Sequence, residues 1–329
     1  MNKTIEYNGL TLKTKHWCEI SDEEYLFLKE QYYKKPDIID VINEIKKIDI
    51  GGVKNSYITK YYFKDLMAKT KLYHSKWSIE DVWNCKDLVA SFVARTKTNE
   101  KVYPVNKSLI ENIETAMRIG GKGLAAKPSN FPVKVSDYII KKYNINNNWY
   151  DFSCGWGSRL TSGMKQRINY YGTDPNNILT ERLVDYSNLY KETIPTCKTI
   201  IDIKAQGSEF FIPEYKNKIG LAFSSPPYFN LEDYKIGKQS YKEGVTYDMW
   251  ISEYLKPTLS NIYLYLIKNG KLAININNFS KYDLIRDVRQ IANVLGYNFE
   301  CVETLENIKR CNMHGELNNN SEGIIIFTK

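Results

Sequence analysis

Two short stretches of the chain combine residue types that could bind a ligand and act on it. In the first, Gly155 and Gly157 lie in a turn that follows the aromatic-rich run 149–152. Glycine has no side chain, so a ligand can approach the backbone of such a turn closely. Asp174 ends the next apolar run, about 20 residues later, where a carboxylate can accept hydrogen bonds from both hydroxyls of a ribose. Together these residues predict a site for a nucleoside cofactor.

The second stretch is the tetrapeptide Ser-Pro-Pro-Tyr at residues 225–228, which follows the apolar run 221–223. Proline cannot donate a hydrogen bond to a neighbouring strand, so two prolines keep the end of a strand open and rigid. An open strand end that carries an aromatic side chain can hold a planar ligand. The alternative is an ordinary turn, because prolines often follow strands.

The elements that must position these stretches are predicted from about residue 128 onward, where strand-like and helix-like runs alternate. Such alternation is typical of an α/β fold, with a mostly parallel sheet and helices on both faces. Ligands bind to these sheets at the carboxyl ends of the strands, where both stretches fall. Two last β-like runs, 299–305 and 324–328, flank an Asn-rich loop around 318–320 and predict a hairpin. The earlier strands are predicted at residues 149–152, 168–174, 199–203, 221–224 and 271–276.

The order of glycine turn, acid and Ser-Pro-Pro-Tyr resembles that of the DNA amino-methyltransferases, which modify adenine N6 or cytosine N4. This resemblance covers about residues 128–329. It implies a Rossmann-like methyltransferase fold, with a seven-strand mostly parallel sheet and a C-terminal antiparallel hairpin. It also implies S-adenosylmethionine as the cofactor and DNA as the substrate. The family usually has Asp directly after the glycine at 207, where this chain has Ser and then Glu. The cofactor-binding residues that the resemblance implies are Phe131, Asp151, Phe152, Ser153, Gly155, Gly157, Asp174, Ser208 and Glu209.

The same resemblance implies catalytic roles for Ser225, Pro226, Pro227 and Tyr228. An exocyclic amino nitrogen is a poor nucleophile, because its lone pair is delocalised into the ring until acceptors bind its hydrogens. Ser225 Oγ and the Pro226 carbonyl would be those acceptors. Tyr228 would stack on a base that has left the duplex. Serine at position 225 slightly favours cytosine N4, since adenine enzymes of the family more often have Asp or Asn there.

Residues 1–110 predict a mainly helical domain, which a glycine-rich connector around 120–123 joins to a catalytic domain at residues 111–329. From residue 57 to residue 77, lysines alternate with aromatic side chains. Cations for phosphates and flat rings for bases are what a nucleic-acid surface needs. The alternative is a helix with a solvated lysine face and an aromatic face in the core. The lysines assigned to nucleic-acid binding are Lys60, Lys64, Lys69 and Lys71.

Composition adds weaker constraints. The 329 residues include 46 Lys and Arg against 38 Asp and Glu, and the formal net charge of +8 suits a polyanionic partner. Six cysteines without a Cys-x-x-Cys pair and three scattered histidines predict neither a metal site nor a disulfide framework. No run of about 18 apolar residues is present, and the N-terminus does not resemble a signal peptide, so a cytoplasmic protein is expected. The oligomeric state is not indicated.

Three other functions fit part of this pattern. RNA or a free nucleotide could supply the amino group in place of DNA. A catalytically inactive methyltransferase fold could serve as a nucleic-acid-binding subunit, although such a subunit would not need the turn, the acid and Ser-Pro-Pro-Tyr together. A dehydrogenase could use the glycine turn, but this leaves residues 225–228 without a role.

Overall fold

The computed structural model describes residues 3–98, 101–119, 124–145, 148–242, 244–278, 280–304 and 323–329. Its helices are α1 (Asp22–Tyr33), α2 (Ile38–Asp49), α3 (Ser56–Lys69), α4 (Ile79–Trp83), α5 (Lys86–Thr96), α6 (Leu109–Ile119), α7 (Val133–Lys142), α8 (Ser158–Lys165), α9 (Asn177–Thr193), α10 (Tyr247–Trp250), α11 (Lys256–Tyr265) and α12 (Leu284–Val294). Its strands are β1 (Lys3–Tyr7), β2 (Leu10–Thr14), β3 (Lys71–Leu72), β4 (Asn148–Asp151), β5 (Asn169–Thr173), β6 (Ile201–Lys204), β7 (Ile219–Ser224), β8 (Glu232–Asp233), β9 (Leu266–Ile276), β10 (Asn298–Thr304) and β11 (Gly323–Thr328).

The chain forms two compact units, of which the first comprises Met1–Pro36, Lys64–Ser129 and Glu232–Ile236. This unit is mainly helical, as predicted, but it opens with an antiparallel hairpin of β1 and β2 that the helical prediction lacked. Asn8 and Gly9 connect the two strands with φ values of 48° and 71°. An Asn-Gly pair is favoured in two-residue hairpin turns because both positions require positive φ. The sequence therefore contained the signal for this hairpin.

The second unit comprises Asp37–Phe63, Asn130–Leu231 and Gly237–Lys329. This division does not follow a single boundary near residue 110, since residues 37–63 belong with the sheet and described residues of 111–129 belong with the helical unit. The reason is that α2 packs on α9, a helix that follows a strand of the sheet. The predicted connector at 120–123 and the Asn-rich loop around 318–320 lie outside the described residues.

The second unit is built on a seven-stranded sheet with the order β10-β11-β9-β7-β4-β5-β6. Strands β6, β5, β4, β7 and β9 are parallel to one another, whereas β11 runs antiparallel between β9 and β10. This is the strand order of the Rossmann-like methyltransferase fold, so the predicted fold class is confirmed, including its C-terminal antiparallel pair. From β4 the chain winds outward to β5 and β6, and then returns to β7 on the other side. The carboxyl ends of β4 and β7 therefore form the crevice where such sheets bind ligands.

The sheet is held by its buried side chains, which explains why its strands read as almost continuously apolar or aromatic. All six residues of β7 are buried, as expected for a central parallel strand covered on both faces. Trp149 on β4 stacks on Phe223 of β7, with ring centroids 5.7 Å apart, and its indole N–H donates to the Phe223 carbonyl at 2.9 Å.

Among the described residues, no helix is both long and apolar enough to cross a membrane.

Candidate active site

The glycine turn after β4 leads directly into α8. Gly155 and Gly157 both have positive φ, at 56° and 79°, a conformation that favours glycine over other residues. Gly157 is also tightly enclosed, since a Cβ there would lie 3.2 Å from atoms of Phe63 and Leu183. A Cβ on Gly155 would have more room, with Arg159 Nη2 the nearest atom at 3.6 Å. The lack of a side chain at Gly157 thus lets Phe63 and Leu183 pack closely against the turn. The lack of one at Gly155 leaves the backbone accessible at the start of the turn.

Asp151, at the end of β4, supports this turn from within the protein. Its side chain is fully buried, and it accepts hydrogen bonds from Arg159 Nε at 2.8 Å and from the Tyr170 hydroxyl at 2.6 Å. Arg159 also donates to the Ser153 carbonyl through Nη2. Burial raises the pKa of Tyr170 well above its usual value, and the nearby Asp151 charge raises it further. Asp151 therefore supports the turn through these bonds, and its predicted contact with the cofactor stays a prediction.

Two predicted phenylalanines flank the same turn. The Phe152 side chain is 2 % exposed and packs on Tyr150, with ring centroids 6.2 Å apart, so only its backbone reaches the turn. Phe131 is half-buried just before α7, edge-on to Phe223 at 5.7 Å and 5.3 Å from the Arg159 guanidinium. The Phe152 ring is therefore part of the hydrophobic core, whereas the Phe131 ring is partly exposed to solvent beside the turn.

Asp174 follows β5, the strand next to β4 in the sheet. Its carboxylate accepts from the backbone N–H of Asn176 at 3.1 Å and, at the longer distance of 3.4 Å, from that of Gly155. Burial raises the pKa of Asp174 to about 6, although both backbone hydrogen bonds act in the opposite direction. The predicted acid and the predicted turn therefore lie in direct contact, although 19 positions separate them in the chain.

Ser208 and Glu209 lie in the loop after β6, the third strand of this half of the sheet. Ser208 is buried, with its hydroxyl 2.9 Å from that of Thr258. Asn261 donates to the carbonyls of both Ser208 and Glu209, at 3.0 and 2.9 Å, which fixes the loop. Glu209 Oε2 is buried and has no hydrogen-bond partner among the described residues. Burial raises the pKa of Glu209. The buried Oε2 atom is suited to a ligand that can donate a hydrogen bond.

Residues 225–228 leave the end of β7, and a side chain of β9 braces them. Asn275 is 1 % exposed, and its Nδ2 lies 3.2 Å from Ser225 Oγ and 3.4 Å from the Tyr228 hydroxyl. The Tyr228 hydroxyl donates in turn to the Asn275 carbonyl at 3.2 Å. Pro226 is buried, whereas Ser225, Pro227 and Tyr228 remain partly exposed. Asn275 therefore fixes the Ser-Pro-Pro-Tyr loop through its side-chain amide and its backbone carbonyl.

Phe229, directly after the Ser-Pro-Pro-Tyr loop, fixes the end of this loop through contacts of its ring. It has a φ of 54°, an unusual conformation for a non-glycine residue, and it is 4 % exposed. The Phe229 ring is surrounded by four aromatic rings at centroid distances between 5.2 and 6.0 Å, namely those of Tyr241, Tyr247, Trp250 and Tyr282. Tyr241 and Tyr247 belong to the long segment 230–248, so this segment is packed onto the loop through aromatic contacts.

The lysine and aromatic stretch divides between core and surface. Lys64, one of the lysines assigned to nucleic acid, is only 7 % exposed and pairs with Glu114 at 3.0 Å, with its Nζ 3.8 Å from the Tyr32 ring centroid. That lysine is therefore not available to a phosphate, because it is buried and paired with Glu114. Phe63 and Trp77 are buried as well. The remaining three lysines of the set keep part of their side chains exposed, and their nucleic-acid role stays a prediction: Lys60, Lys69 and Lys71.

No protein-family model and no curated protein matches the chain. Among solved structures, it is similar to a TehB-like SAM-dependent methyltransferase from Corynebacterium glutamicum at 15 % identity and a TM-score of 0.40, over 59 % of this chain and 87 % of that one. It is similar to a Burkholderia thailandensis 1,6-didemethyltoxoflavin-N1-methyltransferase at 8 % identity and a TM-score of 0.41, over 60 % and 77 % of the two chains. A SAM-dependent methyltransferase from Aquifex aeolicus shares 13 % identity at a TM-score of 0.38, over 59 % and 88 %. Similarity at this level carries no information about the substrate of this chain.

Proposed function

We propose that the chain is an S-adenosylmethionine-dependent methyltransferase that modifies an exocyclic amino group of a DNA base. One observation carries this proposal: the glycine turn, Asp174 and the Ser-Pro-Pro-Tyr loop leave the carboxyl ends of β4, β5 and β7, which are adjacent in the sheet. A nucleoside site and an open strand end that can receive a planar base are thus neighbours. A transfer reaction between two ligands needs such an arrangement, because its rate depends on holding both in position.

The residues present fit S-adenosylmethionine. Asp174 offers carboxylate oxygens beside the Gly155 backbone, which suits the two hydroxyls of a ribose. Glu209 offers a buried acceptor without a hydrogen-bond partner among the described residues, which suits an exocyclic amine such as that of adenine. Leaving a buried acceptor unsatisfied costs about 1–3 kcal/mol, and a bound donor would remove this cost. When bound, S-adenosylmethionine would supply an electrophilic methyl group on sulfur.

The chain's own part in the reaction is to prepare the nitrogen of the target base. Ser225 Oγ and the Pro226 carbonyl would accept the amino hydrogens, drawing the nitrogen lone pair out of conjugation with the ring. Because Asn275 Nδ2 lies 3.2 Å from Ser225 Oγ, it restricts rotation of that hydroxyl. The partly exposed ring of Tyr228 would stack on the base while its hydroxyl remains bound to the Asn275 carbonyl. Serine at 225 favours N4 of cytosine over N6 of adenine.

DNA is proposed over RNA because the resemblance is to enzymes of DNA, and the net charge of +8 suits either polyanion. The full chain should be incubated with methyl-labelled S-adenosylmethionine and duplex DNA, single-stranded RNA or mononucleotides, followed by mass spectrometry of the nucleosides. We expect label in DNA, as N4-methylcytosine. Label found only in RNA or only in mononucleotides would show that the substrate is not DNA. Label found only as N6-methyladenine would show that the target base is adenine and not cytosine.

Calorimetry with S-adenosylmethionine separates the enzyme from an inactive nucleic-acid-binding subunit. We expect binding that Asp174→Ala weakens strongly, and transfer that Ser225→Ala slows without changing cofactor affinity. Ser252→Ala is the matched control, since this exposed serine lies outside the site. An intact chain that does not bind the cofactor would refute the proposal. Binding of nucleic acid and cofactor without transfer would favour the inactive subunit.

A further inference from the structure

The helical segment that runs from α10 to α11 contains an irregular turn. Between α10 and α11, residues Ile251–Leu255 form a π turn, in which the Lys256 N–H bonds to the Ile251 carbonyl five residues earlier. Pro257 follows at the start of α11. Its ring would clash with the carbonyl four residues before it in a regular α-helix, and a widened turn relieves this clash. Single π turns inside α-helices recur at functional sites.

The π turn carries Tyr254 into the site described above. Its hydroxyl lies 3.4 Å from Ser153 Oγ, in the glycine turn after β4. Burial raises the pKa of Tyr254, and hydrogen bonds with the hydroxyls of Ser153 and Ser208 oppose this effect. Ser208 belongs to the loop after β6, so Tyr254 lies near this loop as well as beside the turn after β4.

The ring of Tyr254 is held in a fixed orientation. It is 6 % exposed, and its centroid lies 5.4 Å from that of Trp250, one helical turn earlier. The Trp250 ring lies 6.0 Å from that of Phe229, which follows the Ser-Pro-Pro-Tyr loop, and its indole N–H donates to Ser240 Oγ at 3.2 Å. A hydroxyl on a ring packed in this way cannot move away from the two serine loops without displacing core side chains.

We infer that Tyr254 is a further cofactor-binding residue, whose hydroxyl bonds a polar atom of the cofactor between the loops after β4 and β6. This inference rests on the proposed function. Tyr254 lies outside the glycine turn and the Ser-Pro-Pro-Tyr loop, from which the site was predicted. The hydroxyl contacts Ser153 Oγ, in the turn after β4, at the long distance of 3.4 Å. A better placed ligand atom would compete for this hydroxyl, because hydrogen bonds weaken at such distances.

Tyr254→Phe tests the inference, since it removes the hydroxyl and retains the packed ring. The matched control is Tyr297→Phe in the same core: Tyr297 is 4 % exposed and its hydroxyl donates to the Leu259 carbonyl at 2.8 Å. Both variants should lower the melting temperature by a few degrees, as loss of one buried hydrogen bond does. Calorimetry should show S-adenosylmethionine binding weakened by about three- to tenfold in Tyr254→Phe only.

Steady-state kinetics gives a second readout that loss of packing alone would not produce. Tyr254→Phe should raise the KM for the cofactor and leave kcat within about twofold, because a bond made equally in ground and transition states affects binding alone. Equal cofactor affinity in Tyr254→Phe and the intact protein would overturn the inference while leaving the proposed function standing. Equal weakening in both variants would also overturn it, since a structural effect would then explain the loss. If the intact protein binds no S-adenosylmethionine, the proposed function itself fails.

Discussion

Replacing Asp174 with asparagine should stabilise the ligand-free protein and weaken its binding of cofactor. The folded protein raises the pKa of this carboxyl from its ordinary value of 3.8 to about 6, chiefly by burial. At 25 °C this difference corresponds to about 3 kcal/mol of folding free energy lost when the group is ionised. Asparagine is uncharged and keeps one acceptor oxygen for the backbone N–H groups. We expect Asp174→Asn to raise the free energy of unfolding by about 2 kcal/mol at pH 7.5.

The effect on stability should depend on pH with a definite sign. Between pH 3.8 and about 6 the folded state retains a proton that the unfolded state has lost. Stability of the intact protein therefore falls as pH rises through this window, and the full penalty is present above about pH 6. The gain from asparagine should be largest at pH 7.5, smaller at pH 5 and absent below pH 3.8.

Urea denaturation at pH 5.0 and pH 7.5 measures this gain, with Asp185→Asn as the control because Asp185 is exposed on α9. Calorimetry should show cofactor binding weakened by about 100-fold in Asp174→Asn, since bonds from a ribose to a carboxylate are stronger than those to an amide. In the intact protein, cofactor affinity should fall about tenfold from pH 7.5 to pH 5.0, where only about one carboxyl in ten is ionised. A variant no more stable than the intact protein at pH 7.5 would refute the pKa argument, and unchanged affinity would refute the ribose contact.

Three further perturbations test separate parts of the structure. Asn275→Leu removes the amide that braces Ser225, and should lower kcat by at least about tenfold with cofactor affinity unchanged in calorimetry; an unchanged kcat would contradict the bracing role. Gly157→Ala should cost about 2 kcal/mol or more in urea denaturation, because it adds contacts at 3.2 Å to a strained φ of 79°. Gly244→Ala, with φ of 88° and open space around it, isolates the cost of φ alone, and equal losses would show that packing at Gly157 is not limiting. Changing Lys60, Lys69 and Lys71, which are each partly exposed, to Glu should reduce the slope of log affinity for DNA against log salt by about two to three. An unchanged slope would exclude these three lysines from nucleic-acid binding.

The sequence by itself determined the features that depend on local chain properties. Alternating strand-like and helix-like runs predicted the parallel sheet, because the period of apolar residues reflects which face of an element is buried. Gly155 and Gly157 marked the first turn, since glycine readily takes the positive φ that both adopt. The two prolines marked the end of β7, because neither can continue a ladder of hydrogen bonds. Even the missed hairpin of β1 and β2 had its signal in Asn8 and Gly9.

Tertiary structure alone decided which side chains meet. Asp151 and Arg159 were both visible in the sequence, but only the fold shows that they form an ion pair at 2.8 Å in the core. Asn275 and Tyr254 lie 50 and 101 positions from the serines that they contact. Lys64 lies one turn from Lys60 on the same side of α3, and only the packing around Lys64, with Glu114 and Tyr32, buries it. Pattern and propensity act over a few residues, whereas burial and pairing depend on the path of the whole chain, and that path is set by long-range packing.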